Sequence, residues 1–250
     1  MFRTEPYLTR ELLIDEYIDS QFGASEFLVP SNHPELIVSL APTKIKFKRL
    51  GSARAYDLKP EKTYFFMPRS RGAEIIASES SEYLLIRLNP ICTGSLIKIL
   101  EPVGMGIYEI KINSELLLVM KRLISQRRTF ELNDLIYDFI GEGIAWNETV
   151  YSSIDLIKSS NGTISVKEIY ERLGVSKSKL EQHFNREVGL TPKEFCKIEK
   201  LNYFLSCHQE NPQLSLTELT YLGGYYDQSH LIKDFNYFLG MSPKRFLERA

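Results

Sequence analysis

The sequence predicts an α+β protein. Residues 1–150 read as a β-rich, barrel-like domain with flanking helices, and residues 151–250 as an all-helical domain of two helix-turn-helix units joined by a connecting helix. Three observations carry this reading. The pattern Phe184-Asn185-x-x-x-Gly189-Leu190-Thr191-Pro192-Lys193-x-Phe195 returns, 51 positions later, as Phe235-Asn236-x-x-x-Gly240-Met241-Ser242-Pro243-Lys244-x-Phe246. Residues 26–88 carry short runs of β-branched and aromatic residues, punctuated by Pro, Gly, Asn and Ser clusters. Beyond residue 90, apolar residues recur at i, i+3, i+4 and i+7, the spacing of one helix face.

Taken in order, Leu12, Leu13 and Tyr17 are spaced for one face of a helix over 9–17. Strands follow at 35–41, 44–49, 63–67, 73–78 and 82–88, with turn signals at Ser31-Asn32-His33-Pro34, Pro60 and Arg69-Ser70-Arg71-Gly72 between them. Helical spacing resumes at 91–100, 114–126, 130–142 and 152–158, and Ser159-Ser160-Asn161-Gly162 reads as a linker.

Each C-terminal unit opens with a Ser-x-x-Glu capping box, Ser165 to Glu168 and Ser215 to Glu218, in which hydroxyl and carboxylate reciprocally satisfy free backbone N–H groups. Val166, Ile169, Tyr170 and Leu173 then line one helix, Gly174 stops it, and Ser176 caps a second with Leu180, Phe184 and Val188 inside. In the repeat, Leu216 and Leu219 line the first helix, Gly224 and Tyr225 make the turn, and Asp227 caps a helix with Leu231, Phe235 and Phe238 inside. This phase leaves Lys177, Ser178, Glu181 and Gln182 outward on one second helix and Gln228, Ser229, Ile232 and Lys233 outward on the other. Two short helices joined by a tight glycine turn suit entry of the second helix into a DNA major groove. These eight residues are the candidate DNA contacts. Thr191-Pro192-x-Glu194 caps the connecting helix over 192–208, with Phe195, Ile198, Leu201, Phe204 and Leu205 apolar.

Composition bounds the alternatives. With 43% hydrophobic and 25% charged residues, the chain has ordinary globular usage. Cys92, Cys196 and Cys207 are an odd set without C-x-x-C spacing, so neither a zinc site nor a disulfide framework is expected. The β-rich half holds one histidine, His33, too few for paired metal ligands, and no Ser/His/Asp constellation can be argued around His183 or His230. The expectation is no catalysis, no metal and no cofactor. There is no apolar run of membrane-spanning or signal-peptide length, which places the protein in the cytoplasm, away from membranes. Net charge is -1 overall, and residues 152–250 carry 13 Lys and Arg against 12 Asp and Glu. DNA affinity rests largely on phosphate neutralisation, so contacts must come from helix N-termini and a few local cations.

At Gly224-Tyr225-Tyr226-Asp227-Gln228-Ser229-His230-Leu231, followed by Phe235 and Gly240-Met241-Ser242-Pro243, the chain resembles the AraC/XylS-type family of transcription regulators. The resemblance covers roughly the last hundred residues. It implies two units that place their second helices in adjacent major-groove turns of one DNA face. It also implies partners: DNA, a small-molecule effector, a second copy in a homodimer, and RNA polymerase. Ser178 and Gln182 stand where members often carry arginines, Lys200 where an arginine is usual, and Phe204 where a small residue is usual. The β-rich half resembles, more loosely, the cupin-like sensor domains of this family. Phe47, Tyr56, Tyr64, Phe65 and Phe66 are then candidates for an effector lining or for core, and Arg69, Arg71 and Arg87 for anion contacts or structural ion pairs. A chain of this family with few DNA contacts of its own would act instead as a protein-interaction module.

Overall fold

The computed structural model describes residues 14–22, 25–39, 45–60, 62–77, 81–104, 106–111, 114–138 and 146–248. Its N-terminal half holds β1 (Ile14–Phe22), β2 (Ser25–Leu28), β3 (Glu35–Ser39), β4 (Ile45–Arg49), β5 (Tyr56–Leu58), β6 (Thr63–Phe66), β7 (Ala73–Ala77), β8 (Ser81–Leu88), β9 (Glu101–Gly104) and β10 (Ile107–Ile110). They form a six-stranded sheet in the order β1-β8-β3-β6-β10-β9 and a four-stranded sheet in the order β2-β7-β4-β5. The pairings are antiparallel.

Strand alternation decides what each sheet face buries. Ile37, Tyr64, Phe66 and Leu85 of the large sheet meet Phe47, Leu58 and Ile75 of the small one, closing a sandwich core. The intervening residues Leu36, Val38, Phe65, Ile86 and Leu88 face the other way, into a second core that continues through Ile91 and Leu96 to Phe184, Phe195 and Phe235. The large sheet is therefore covered on both faces, and the β-rich and helical halves share one unbroken apolar core.

The helices are α1 (Thr93–Ile99), preceded by a 3-10 turn Pro90–Cys92, then α2 (Ser114–Ser125), α3 (Thr129–Ile136) and α4 (Glu148–Ser159). The C-terminal set is α5 (Val166–Arg172), α6 (Lys177–Val188), α7 (Pro192–Glu210), α8 (Leu216–Leu222), α9 (Gln228–Leu239) and α10 (Pro243–Leu247). No described helix is long and apolar enough to cross a membrane.

Several expectations need correction. Part of the expected helix over 9–17 is strand: β1 runs from Ile14 and pairs along β8 from Ile14↔Leu88 to Phe22↔Ser81, while residues 9–13 lie outside the described residues. A short helix has little intrinsic stability, and the exposed ladder of β8 supplies hydrogen bonds that local spacing could not anticipate. Strands β2, β5, β9 and β10 are three or four residues long, too short to show alternation. Helix α3 is α-helical to Ile136 and continues as a π turn at 137–138, and residues 139–142 of the expected helix lie outside the described residues. Helix α4 starts four positions before the expected 152, because Asn147 caps it by accepting from the Val150 N–H at 3.3 Å.

Candidate nucleic-acid interface

Two second helices of equal length carry the site. Helices α6 and α9 each have 12 residues and stand 51 positions apart, as do their caps Ser176 and Asp227. Each cap accepts from the N–H three residues on, Lys179 at 3.3 Å and His230 at 2.7 Å. Each helix ends on a glycine in the left-handed region, Gly189 at φ 79° and Gly240 at φ 67°, a conformation that a side chain disfavours. The buried face is Leu180, Phe184 and Val188 in α6, and Leu231, Phe235, Phe238 and Leu239 in α9. The first helices, α5 and α8, lie only 50 positions apart, so the second turn holds one extra residue. The turn between α8 and α9 includes Tyr226, 85% exposed just before the Asp227 cap, which sequence reasoning left without a role.

The eight sequence-predicted contacts fall at equivalent positions, Lys177 with Gln228, Ser178 with Ser229, Glu181 with Ile232 and Gln182 with Lys233. All are exposed except Gln228, which is half-buried because its amide donates to Thr217 Oγ1 at 2.8 Å. That bond fixes the Gln228 side chain at the mouth of α9. The two faces differ in charge. On the first unit, Lys177 pairs with Glu181 at 3.8 Å, Arg172 with Glu168 at 2.6 Å, and Arg186 with Glu187 at 2.8 Å. On the second, no ion pair among the described residues engages Lys233, Lys244 or Arg245, all of them exposed. Ile232, 38% exposed, offers an apolar surface of the kind that meets a thymine methyl. Lys244 and Arg245 open α10; a pattern centred on the second helices gave no reason to select them.

The Ser165 capping box is half-formed. Ser165 accepts from the Glu168 N–H at 3.1 Å, but the Glu168 carboxylate turns to Arg172. At Ser215 and at Thr191 both halves of the box are present.

Helix α7 ties the units together, and buried polar groups set its contacts. Asp234 on the inner side of α9 takes Lys197 of α7 at 2.6 Å. Lys200 Nζ lies 5.5 Å over the Tyr225 ring. Burial lowers the Lys200 pKa, partly opposed by Asp234 and Cys196, and raises that of Tyr225, with Asp234 adding to the rise. Phe204 packs edge-on against Tyr225 and Phe235, ring centres 6.0 and 5.4 Å away. Its bulk fits because Gly223 faces it: a Cβ there would stand 2.7 Å from the Phe204 ring. His183 is a packed histidine, in hydrogen-bond contact with Asn147 at 3.1 Å.

The β-rich half grips the far ends of both second helices. The backbone of α6 lies so close to α1 that a Cβ on Gly94 would come within 2.7 Å of the Arg186 carbonyl. At α9, the Gly72 N–H donates to the Phe238 carbonyl at 2.8 Å, and the Arg71 guanidinium stacks over Tyr237 at 4.3 Å. Asn32 reaches α7, its amide donating to the Phe195 carbonyl at 3.1 Å and to Glu199 Oε2 at 3.0 Å. Beside Asn32 a cavity of about 420 Å³ opens between the halves. Val29, Leu205, Phe246 and Leu247 give it an apolar wall, and His33, Arg87, Glu199 and His208 give it a polar one.

The aromatic candidates for an effector lining are core: Phe47, Tyr64 and Phe66 fill the sandwich, Phe65 the opposite face, and Tyr56 packs partly buried at its edge. Arg69 and Arg87 are structural, both engaging the buried carboxylate of Glu35.

Comparison with known proteins agrees with this geometry. A family described as "Helix-turn-helix domain" matches residues 169–249. The Msm operon regulatory protein of Streptococcus mutans is 30% identical over 95 residues, a stretch spanning 36% of this chain and 33% of that protein. ToxT from Vibrio cholerae shares the fold across nearly the whole chain: one crystal structure has a TM-score of 0.59 at 11% identity, covering 93% of this chain and 97% of that one. ToxT bound to an unsaturated fatty acid gives a TM-score of 0.58 at 11% identity, covering 94% of each chain. Behind a β-rich half with the ToxT fold, the helical half of this chain carries a helix-turn-helix domain over residues 169–249, similar to that of the AraC/XylS-type transcription regulators.

Proposed function

We propose that the chain is a sequence-specific DNA-binding transcription regulator, without enzymatic activity, acting in the cytoplasm. The observation that carries this reading is the pair of equivalent second helices, each capped, exposed on one face and held by a single connecting helix. Helix α7 has 19 residues, a length of about 28 Å, close to the roughly 34 Å between successive major grooves on one DNA face. Footprinting is expected to show two protected patches about ten base pairs apart. A single patch would mean that α6, with its Lys177 tied to Glu181, does not engage.

The division of labour follows from charge. Lys233 neutralises a phosphate, so Lys233→Ala is expected to weaken binding to all sequences alike and to flatten the slope of log K against log salt by about one unit. Gln228, held at the mouth of α9 by Thr217, reads a base edge. Gln228→Ala is expected to cost ~1–3 kcal/mol on the preferred operator and to leave non-specific binding and the salt slope nearly unchanged. Titrations across a salt series separate the two. If both folded variants bind the operator like the parent, the second reading moves to first place: a protein-interaction module, favoured by the ion-paired cations of the first unit and the near-neutral charge of residues 152–250.

The cavity beside Asn32 is the effector site in this reading. Its apolar wall and its mixed polar side of His33, Arg87, Glu199 and His208 suit an amphipathic ligand, the class to which the fatty acid bound by ToxT belongs. It touches both the strap at 29–34, the segment between β2 and β3, and helix α7, so occupancy changes how the second helices are held. Self-association and contact with RNA polymerase complete the proposal.

A further inference from the structure

We infer that the buried ion pair between Asp234 and Lys197 fixes the angle at which α9 is held relative to α6, which makes the two side chains positioning residues for an operator of defined spacing. The inference rests on DNA reading by both units and deepens it. Asp234 lies midway along α9, buried with Leu231 and Phe235 on the inner side. Its Oδ1 accepts from Lys197 Nζ of α7 at 2.6 Å. Two positions before Lys197, on the opposite side of the same helical turn, Phe195 packs edge-on against Phe184 of α6, ring centres 5.3 Å apart. One turn of α7 therefore touches both reading helices, α6 through an apolar contact and α9 through a charged one.

Directionality separates this pair from the contacts around it. Phe204 meets Phe235 edge-on, and Lys197 Nζ lies 5.9 Å from the Phe238 ring centre. Ring contacts of this kind are favourable over a range of distances and offsets. A charge-assisted hydrogen bond is short and oriented, and it weakens steeply when bent. Its net contribution to stability is small here, because the Asp234 carboxylate is only half satisfied. Oδ2 is buried without a hydrogen-bond partner among the described residues, and His230 Nε2 stands 3.8 Å from it. Desolvation of such a carboxylate offsets the Coulombic gain, and an apolar pair of similar volume stabilises as well or better. What an apolar pair does not supply is a fixed direction. On DNA, direction decides spacing, since each base pair between two half-sites turns the second by about 35°.

Binding of the full chain to spaced duplexes tests this. The probe is the duplex that the parent selects from a random-sequence pool, with copies lengthened by one and by two base pairs between the two protected patches. The parent is expected to bind the lengthened copies about tenfold more weakly or worse, as when a base contact is lost. The double variant Asp234→Leu, Lys197→Met is expected to melt at or above the parent's temperature while its penalty for lengthening falls to about threefold or less. A second variant, Asp234→Asn, keeps the shape and leaves Lys197 a neutral acceptor, a bond of roughly half the strength. It is expected to melt within a few degrees of the parent and to reduce the penalty by about a factor of two. A parent indifferent to lengthening, a folded variant that keeps the parental penalty, or loss of folding in both variants would each overturn the inference; the last would make the pair a matter of stability alone. Failure of the functional reading looks different: a parent that selects no duplex at all removes DNA reading, and this inference with it.

Discussion

Glu35→Ala is expected to destabilise the protein by ~3–5 kcal/mol, the usual cost of stripping one partner from a buried ion pair. Glu35 is fully buried in β3, directly across from Arg87 of β8. Its carboxylate takes Arg69, itself buried, and Arg87 Nε at 3.4 Å. Removing it leaves the Arg69 guanidinium, among the described residues, with its hydrogen bond to the Val29 carbonyl at 3.1 Å. The 29–34 strap loses its anchor, and with it the Asn32 contact to α7. The pH dependence gives a second readout. Burial raises the Glu35 pKa, but Arg69, Arg87 and hydrogen bonds from Arg69 and Ser31 outweigh it and hold the carboxyl below its usual 4.5. A depressed pKa contributes stability that is present above the unfolded value and is lost as pH falls through the folded one. The parent is therefore expected to lose stability below about pH 4.5, in part through Glu35, and Glu35→Ala to lack that share of the acid dependence. Equilibrium denaturation across a pH series measures both; a variant within 1 kcal/mol of the parent would show that the triad is not buried as described.

Phe235→Ala is expected to cost ~3–5 kcal/mol, as large-to-small changes in a core do. The Phe235 ring is fully buried and stands edge-on to Phe204 at 5.4 Å and Phe246 at 5.9 Å. It holds together α7, α9 and α10. Loss of this much from a domain of ordinary stability is expected to abolish operator binding by unfolding, not by removing a contact. Thermal melting checks this, and a cooperative melt within a few degrees of the parent would place the α9 core on another face.

The helical half was legible because its signals are local. Caps, glycine stops and apolar spacing at Ser176, Asp227, Gly189 and Gly240 each act within one turn of helix, and the repeat doubles every one of them. The outward phase of the eight candidate contacts follows from the same periodicity. Local signals also misled, as at Glu168: the capping box was spelled out, but the carboxylate had a second choice, Arg172 at i+4, and took it.

Within the β-rich half, a strand is decided by its neighbours. Residues 14–22 become β1 because β8 offers a ladder, and β9 and β10 exist as partners of β6 and of each other. The sequence by itself determined that the chain has a β-rich half and a duplicated helical half, and which faces of α6 and α9 point outward, since those properties depend on residues within a few positions. Only the tertiary structure decided that the two halves share one core, that Glu35 joins Arg69 and Arg87, and that a cavity lies between the 29–34 strap and α7. Those depend on residues far apart in the chain, 167 positions in the Asn32–Glu199 bond, and no periodicity reaches that far.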